Sequence, residues 1–552
     1  MLRYLAYAVI LPLSLCVGIL LYVVCNVWLA RRSPLFNLPG PPSPGWRGSH
    51  LHRLMNSSTS AEQTEKMVKL YGKNFRVQGA GAADQRLITV DPVAITHILN
   101  RISVYEKPWQ SRRLISHLIG EGMLASEGNM HRRQRKVSNP AFSQQNLNAF
   151  MPIFFQKAEE LRNRITGLIQ DREKGTKIDV LHWISRTTFD IIGLTGFDYE
   201  FNAIQDETNE MYLAYKKMFD VTLNKGEDWK LLIGIFMPIL WKIMPTETNI
   251  IVKNCKEVIQ RTGERLVREK KKALEDEDES SKLGKDLLTL LLKSNMSDDI
   301  PDGQRISDQD IFNQISTFLF AGSDTSSLTL TWTLYLLSKH DDIQTRLRQE
   351  LQGLRSKLSD SWIVVNEPPV LDAANCATFF SALDRAPLLD MVVRESLRFI
   401  PPIHSSLRTA NQDDEIPVSE PIKMRDGSVQ SSFKISKGQF IHVAMESFNL
   451  DRSVWGPSAW EFDPYRWMKL PEEVKKQPGL YPNIMSFSSG PRACIGLRFS
   501  IMEIKIIIYV LLTSFAFSEP DDVIKSNMVL VRPTVRGRGK EGNQCPIVIR
   551  PC

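Results

Sequence analysis

From Tyr4 to Ala30 the chain is almost wholly apolar and carries no charge. That run is long enough to cross a hydrocarbon core, which needs about 20 helical residues. Beyond it the pattern changes. Residues 309–338, 382–398 and 496–515 repeat apolar positions at three- and four-residue spacing, which predicts helices. Short strand-like pieces at residues 75–77, 87–90, 439–443 and 547–549 lie between turn-forming residues. Between anchor and body stands Leu38-Pro-Gly-Pro-Pro-Ser-Pro44, where proline resists helix and predicts a semi-rigid spacer. A second apolar run, residues 231–244, is broken by Gly234 and Pro238 and is too short to span a bilayer. It reads equally as buried core or as a patch dipping into a membrane. Residues 268–285 are charge-dense and predict a solvated helix end and loop. The pattern therefore predicts a membrane anchor at 1–30, a proline-rich hinge at 31–45 and one catalytic domain at 46–552. The expected body is mainly α with small β-sheets.

Charge and cysteines narrow the class. The 552 residues hold 69 Lys+Arg against 62 Asp+Glu, a net +7 with no concentrated basic stripe, so nucleic acid is not an expected partner. A modest basic excess suits an anionic membrane surface or an acidic protein. Arg31 and Arg32 follow the apolar run while Arg3 alone precedes it, so the positive-inside rule places the body in the cytoplasm. Tyr4, Tyr22 and Trp28 sit where interfacial aromatics belong. Seven scattered cysteines without CxxC spacing argue against a disulfide framework or a zinc site. In a reducing compartment the Asn56 and Asn295 sequons are chance matches.

One cysteine stands in company that changes its meaning. It lies in Phe487-Ser-Ser-Gly490-Pro-Arg492-Ala-Cys494-Ile-Gly496, just before a long apolar helical pattern. Gly490-Pro491 predicts a tight turn, and Cys494 then falls near a helix N-terminus, whose N–H groups favour a thiolate. Phe487 can shield the sulfur, Arg492 offers a cation for a carboxylate, and Gly496 permits close approach of a flat group. Five fixed positions within these ten residues match the ligand loop of the cytochrome P450 superfamily, which the chain resembles along nearly its whole length.

Other segments resemble that family in the same order. Phe320-Ala-Gly-Ser-Asp324-Thr325-Ser326 resembles the oxygen-binding segment. Thr325 lies four residues after Ala321, one helical hydrogen-bond step, so its hydroxyl can bond back and bend the helix. The resemblance implies that Asp324 and Thr325 deliver protons to oxygen. Glu395-Ser-Leu-Arg398 puts both charges on one helix face. With Arg466 in Phe462-Asp-Pro-Tyr-Arg466-Trp467 it resembles the family's buried structural network. His131-Arg-Arg-Gln-Arg135, before Pro140-Ala-Phe142, resembles a propionate-binding segment, with His where Trp is more familiar. The implied propionate contacts are His131, Arg135, Arg408 and Arg492.

The resemblance implies a P450 fold behind one transmembrane helix, in the endoplasmic reticulum membrane with the body facing the cytoplasm. It implies haem b on Cys494, dioxygen as co-substrate and insertion of one oxygen atom into a lipophilic small molecule, in secondary metabolism or detoxification. A thiolate on haem iron favours O–O cleavage. The chain has no nicotinamide or flavin fingerprint, so electrons are expected from an NADPH-dependent flavoprotein reductase, with cytochrome b5 a further candidate. Arg132, Arg133 and Lys136 form a candidate docking face, or simply a solvated one. Phe318, Ala321, Gly322 and residues 109–123, 403–407 and 528–531 are the expected substrate lining. Two rivals remain at this stage. A haem-thiolate isomerase or dehydratase would not use dioxygen, but such enzymes commonly lose the acid–Thr pair kept here. A non-enzymatic membrane protein that binds haem or a protein partner structurally would not need these motifs intact.

Overall fold

The computed structural model describes residues 30–45, 47–224, 246–276, 286–296, 305–362, 373–481, 483–526 and 529–552, with isolated positions before residue 30. The predicted anchor falls almost entirely outside the described residues, the run 231–244 wholly outside, and so does 277–285 of the charged stretch, whose start belongs to the helix Glu247–Glu275. Among the described residues no helix is long and apolar enough to cross a membrane.

The chain divides into two compact units. The first comprises Met1–Pro108, His404–Asp451 and Lys476–Arg492. Its five-stranded sheet runs in the spatial order Asn74–Gln78, Gln85–Thr89, Phe440–Val443, Ser406–Ala410 and Tyr105–Glu106. All neighbours are antiparallel except Gln85–Thr89 beside Phe440–Val443, where Leu87 faces Ile441. Phe75, Val77, Leu87, Ile441 and Val443 bury their apolar faces against Ile95 and Ile98 of the helix Pro92–Asn100. Asp91 caps that helix by accepting the Val93 and Ala94 N–H groups. The proline-rich segment lies along the edge strand: the Arg76 N–H donates to the Pro39 carbonyl, and Gln78 Nε2 donates to the Gly45 carbonyl. A hairpin of Asp414–Lys423 and Val429–Ile435 completes the unit, with a register shift between Pro417 and Ile422.

The second unit comprises Trp109–Ile403, Arg452–Lys475 and Ala493–Cys552, and it is mainly helical. Its axis is the helix Asp308–Ser338. Ser307 and Asp310 close a reciprocal capping box at its start, satisfying N–H groups that the first turn leaves open. Val180–Phe197 and Leu497–Ser514 pack against it. The predicted helix over 382–398 is in fact two, Ala373–Asp384 and Pro387–Phe399. Pro387 has no N–H and forces Ala386 out of the helical region, to φ −66° and ψ 112°. Three strands, Thr176–Asp179, Pro546–Pro551 and Phe515–Ser518, pair antiparallel in that order.

Candidate active site

The cysteine loop is shaped by one obligatory glycine. Gly490 sits at φ +72°, and a Cβ there would lie 2.7 Å from the Leu99 carbonyl oxygen and 2.8 Å from Asn100 Oδ1. No other residue fits without moving backbone. Gly490–Arg492 forms a single 3-10 turn, and Gly496 then caps the helix Leu497–Ser514. Cys494 thus stands two residues before the cap, as the sequence predicts.

Its environment refines the expectation of a thiolate. Burial pushes the Cys494 thiol up, and the Gly496 N–H and the Arg135 guanidinium offset this only in part. The helix start alone does not hold the sulfur ionised; a cation bonded to it would. The side chain is nevertheless exposed by area. Protein surrounds the sulfur while its surface stays open, so the side chain faces a recess. Ala321 is likewise exposed, on a helix where Leu319 and Ser323 are buried.

These residues fit a flat metal-bearing group beside the sulfur. At Gly496 φ is −85°, and a Cβ would touch only Cys494 Sγ at 3.9 Å and Ser500 Oγ at 4.0 Å. Neither backbone strain nor a protein neighbour demands glycine there, which leaves the open space next to Sγ as its reason. Among the described residues no cluster of three His, Cys, Asp or Glu could hold a metal. A lone thiolate suits a metal whose other ligands belong to its cofactor.

Arg135 is fixed close by. It lies on the helix Gly128–Ser138, and its Nη1 donates to the Ala493 carbonyl at 2.6 Å. His131, one turn earlier on the same face, is buried. In the first unit, buried Arg408 donates from Nη1 to Ser406 Oγ and the Leu407 carbonyl, both at 2.7 Å. Phe487 packs edge-to-face on Tyr481 with ring centroids 5.7 Å apart, and Arg492 ends the 3-10 turn.

On the long helix, Thr325 Oγ1 donates to the Ala321 carbonyl at 2.7 Å, the predicted bond. It is one of a series. Thr317, Ser323, Thr329 and Thr333 bond back four residues in the same way, and the helix runs uninterrupted from Asp308 to Ser338. Asp324 is held elsewhere: its Oδ2 accepts from Arg532 Nη2 at 2.5 Å, and Arg532 also reaches Asp220 at 3.3 Å. Burial raises the Asp324 carboxyl against the pull of Arg532.

Two groups here escaped the sequence reading. Arg532 is 208 residues from Asp324, and no local pattern links them. Glu503 sits inside Leu497–Ser514, fully buried, with Ser326 of the long helix beside it and burial pushing its carboxyl up to about 8. A carboxyl that ionises more readily unfolded than folded erodes stability as pH rises between those two values. The window runs from 4.5 to about 8, and the loss reaches about 3 kcal/mol by neutral pH. Glu503→Gln is therefore expected to flatten the fall in urea midpoint between pH 5.5 and 8. An unchanged pH slope would count against a neutral Glu503.

Behind the cysteine helix lies the network expected from the sequence. Arg398 Nε and Nη2 grip Glu395 at 2.8 and 2.7 Å, and Arg466 Nε donates to the same carboxylate at 2.9 Å. Trp467 Nε1 and the Asp463 N–H add bonds of 3.0 Å each. Arg398 and Glu395 are fully buried.

Comparison with known proteins agrees with this geometry. The sequence profile of the cytochrome P450 family matches residues 39–538. Cytochrome P450 monooxygenase 128 of Postia placenta is 34% identical, over 95% of this chain and 94% of its own. Cytochrome P450 monooxygenase 205 of the same fungus is 35% identical, over 98% and 96%. A ganoderic acid synthetase of Ganoderma lucidum is 32% identical over 88% of each chain. The crystal structure of the cytochrome P450DA heme domain shares the fold, with a TM-score of 0.69 at 22% identity, covering 93% of this chain and 98% of that one. The chain belongs to the cytochrome P450 family and is one of its monooxygenases.

Proposed function

We propose that Cys494 is the axial thiolate of a haem b group and that the protein inserts one oxygen atom from dioxygen into a lipophilic small molecule. The observation that carries this reading is the Cys494 side chain itself, enclosed by protein yet open to a recess at the head of Leu497–Ser514. When bound, the haem supplies oxygen activation, with the sulfur's electron density favouring O–O cleavage. The chain does the rest. Arg135 and His131 are assigned to the propionates, Arg135 also tying its helix to the cysteine loop. Arg408, Arg492 and the shielding Phe487 carry their assignments on the family pattern alone.

Thr325 and Asp324 handle protons. The Thr325 hydroxyl rests on the Ala321 carbonyl and can turn its hydrogen into the recess. Asp324 must first leave Arg532, so the ion pair holds the acid in reserve until a proton is needed. Thr325→Ala is expected to keep NADPH oxidation while product per NADPH falls roughly ten- to a hundredfold, in line with loss of general-acid assistance. The missing equivalents should appear as hydrogen peroxide, and Thr325→Ser should restore coupling. Unchanged coupling in the alanine variant would remove Thr325 from proton delivery.

The electron source in this reading is a separate NADPH-dependent flavoprotein reductase, with cytochrome b5 as a candidate auxiliary donor. The uncharged run 4–30 and the Arg31-Arg32 pair support anchoring in the endoplasmic reticulum with the body in the cytoplasm. The likeness to a ganoderic acid synthetase supports a place in secondary metabolism, with detoxification the alternative. Reconstitution with a fungal reductase, scored by NADPH- and dioxygen-dependent oxidation of a lipophile panel, tests the whole. Turnover of a hydroperoxide without either would point to the isomerase reading.

A further inference from the structure

We infer that Lys256 is the anchor for a carboxylate on the substrate, so that the lipophile this enzyme takes is a lipophilic acid. The inference names the substrate class within the proposed monooxygenase reading and rests on it.

A cavity of about 110 Å³ lies in the second unit between four helices. Leu118, Ile119, Met218, Ile259, Phe312 and Leu319 make its walls largely apolar. One cation enters this wall. Lys256, on the helix Glu247–Glu275, donates from Nζ to the His117 carbonyl at 3.0 Å, which holds the ammonium at the rim formed by residues 118–120. Lysines placed like this normally face a carboxylate. Here none of the described acids answers. Burial alone lowers the Lys256 ammonium, with no acid raising it. The nearest acid in sequence, Glu257, is turned to Lys253 at 3.9 Å, and Gln260 on the cavity side binds Glu264 at 2.7 Å. The lysine is therefore half-buried beside apolar walls without a counter-charge among the described residues, an arrangement that an arriving anion would complete.

The rest of the cavity suits the same guest. Gln309 and Asn313 bring amides linked to each other at 3.4 Å, and Ser316 brings a hydroxyl. The volume accommodates a carboxylate and the first carbons behind it, not a whole lipophile. In the proposed binding mode the remainder extends along the helix toward Ala321. Asn313 precedes Ala321 by eight residues, about 12 Å at 1.5 Å per residue. A long-chain or polycyclic acid covers that distance, placing a carbon remote from its carboxylate at the turn where Ala321 faces the recess.

The test uses the full-length holoenzyme with dodecanoate and methyl dodecanoate as probes. Binding is followed by calorimetry, which needs no spectral response from haem, and in parallel by the substrate-induced Soret shift. Lys256→Met is expected to weaken dodecanoate about tenfold or more while leaving the methyl ester within twofold. Lys256→Arg should retain most of the acid's affinity, and added salt should reduce the wild-type preference for acid over ester. Equal weakening of acid and ester, or no change in either, would overturn the proposal. The reduced carbon-monoxide spectrum of each variant separates this outcome from failure of the haem-thiolate reading. An intact thiolate band with no acid preference removes the anchor alone, and an absent band in wild type removes the oxygenase reading while calorimetry still scores Lys256.

Discussion

Cys494→Ala is expected to abolish the red-shifted Soret band of the reduced carbon-monoxide complex and to reduce product formation to background. The fold should survive. The Cys494 side chain faces a recess and not the packed core, so its truncation leaves no cavity among apolar neighbours and should change stability by only about 1 kcal/mol in the absence of haem. Apoprotein melting, far-ultraviolet circular dichroism and haem content therefore separate the ligand's loss from collapse of the chain. Cys494→Ser is the sharper variant, because it keeps an acceptor for the Gly496 N–H and removes only the soft sulfur. A serine or alanine variant that retained the thiolate-type band would place the ligand elsewhere.

Glu395→Ala should act on the other side of the ledger, destroying the fold and not the chemistry. The carboxylate accepts from Arg398, Arg466, Trp467 and the Asp463 N–H, and it sits at zero exposure. Removing it strands two guanidinium groups in the interior, at a cost of about 3–5 kcal/mol. Soluble holoprotein should largely disappear from expression cultures, and any recovered protein should melt far below wild type. Trp467→Phe, which deletes one of these bonds and keeps the ring, should cost about 1 kcal/mol. The graded pair distinguishes a structural knot from a catalytic carboxylate. If Glu395→Ala melts like wild type, the network does not hold this unit together.

How much of this was legible in the sequence depends on how local each signal is. The long helix is expected over 309–338 and runs Asp308–Ser338, because its period and its Ser307–Asp310 cap are both local. The strands expected at 75–77 and 547–549 lie inside Asn74–Gln78 and Pro546–Pro551, while those at 87–90 and 439–443 overlap Gln85–Thr89 and Phe440–Val443 with one residue of each left outside. The hairpin Asp414–Lys423 with Val429–Ile435 was missed, since its exposed polar positions and Pro417 mask the alternation. At the site, the ten-residue cysteine motif and the Ala321–Thr325 step are short-range and emerge as read. Arg532 on Asp324, Glu503 beside Ser326 and Lys256 at its cavity are long-range matters. Each is an ordinary charged residue until the fold chooses its neighbours.

The five back-bonded hydroxyls of the long helix have a bearing on how that helix serves as a wall. Each side chain closes a small ring onto its own backbone, which meets its polarity without water; Ser323 also reaches the Tyr215 hydroxyl at 3.3 Å. A threonine in that posture shows its surroundings a methyl group and behaves toward a hydrocarbon guest much as valine does. A segment written in Ser and Thr can thus line a greasy chamber, and it keeps a latent proton at every such rung.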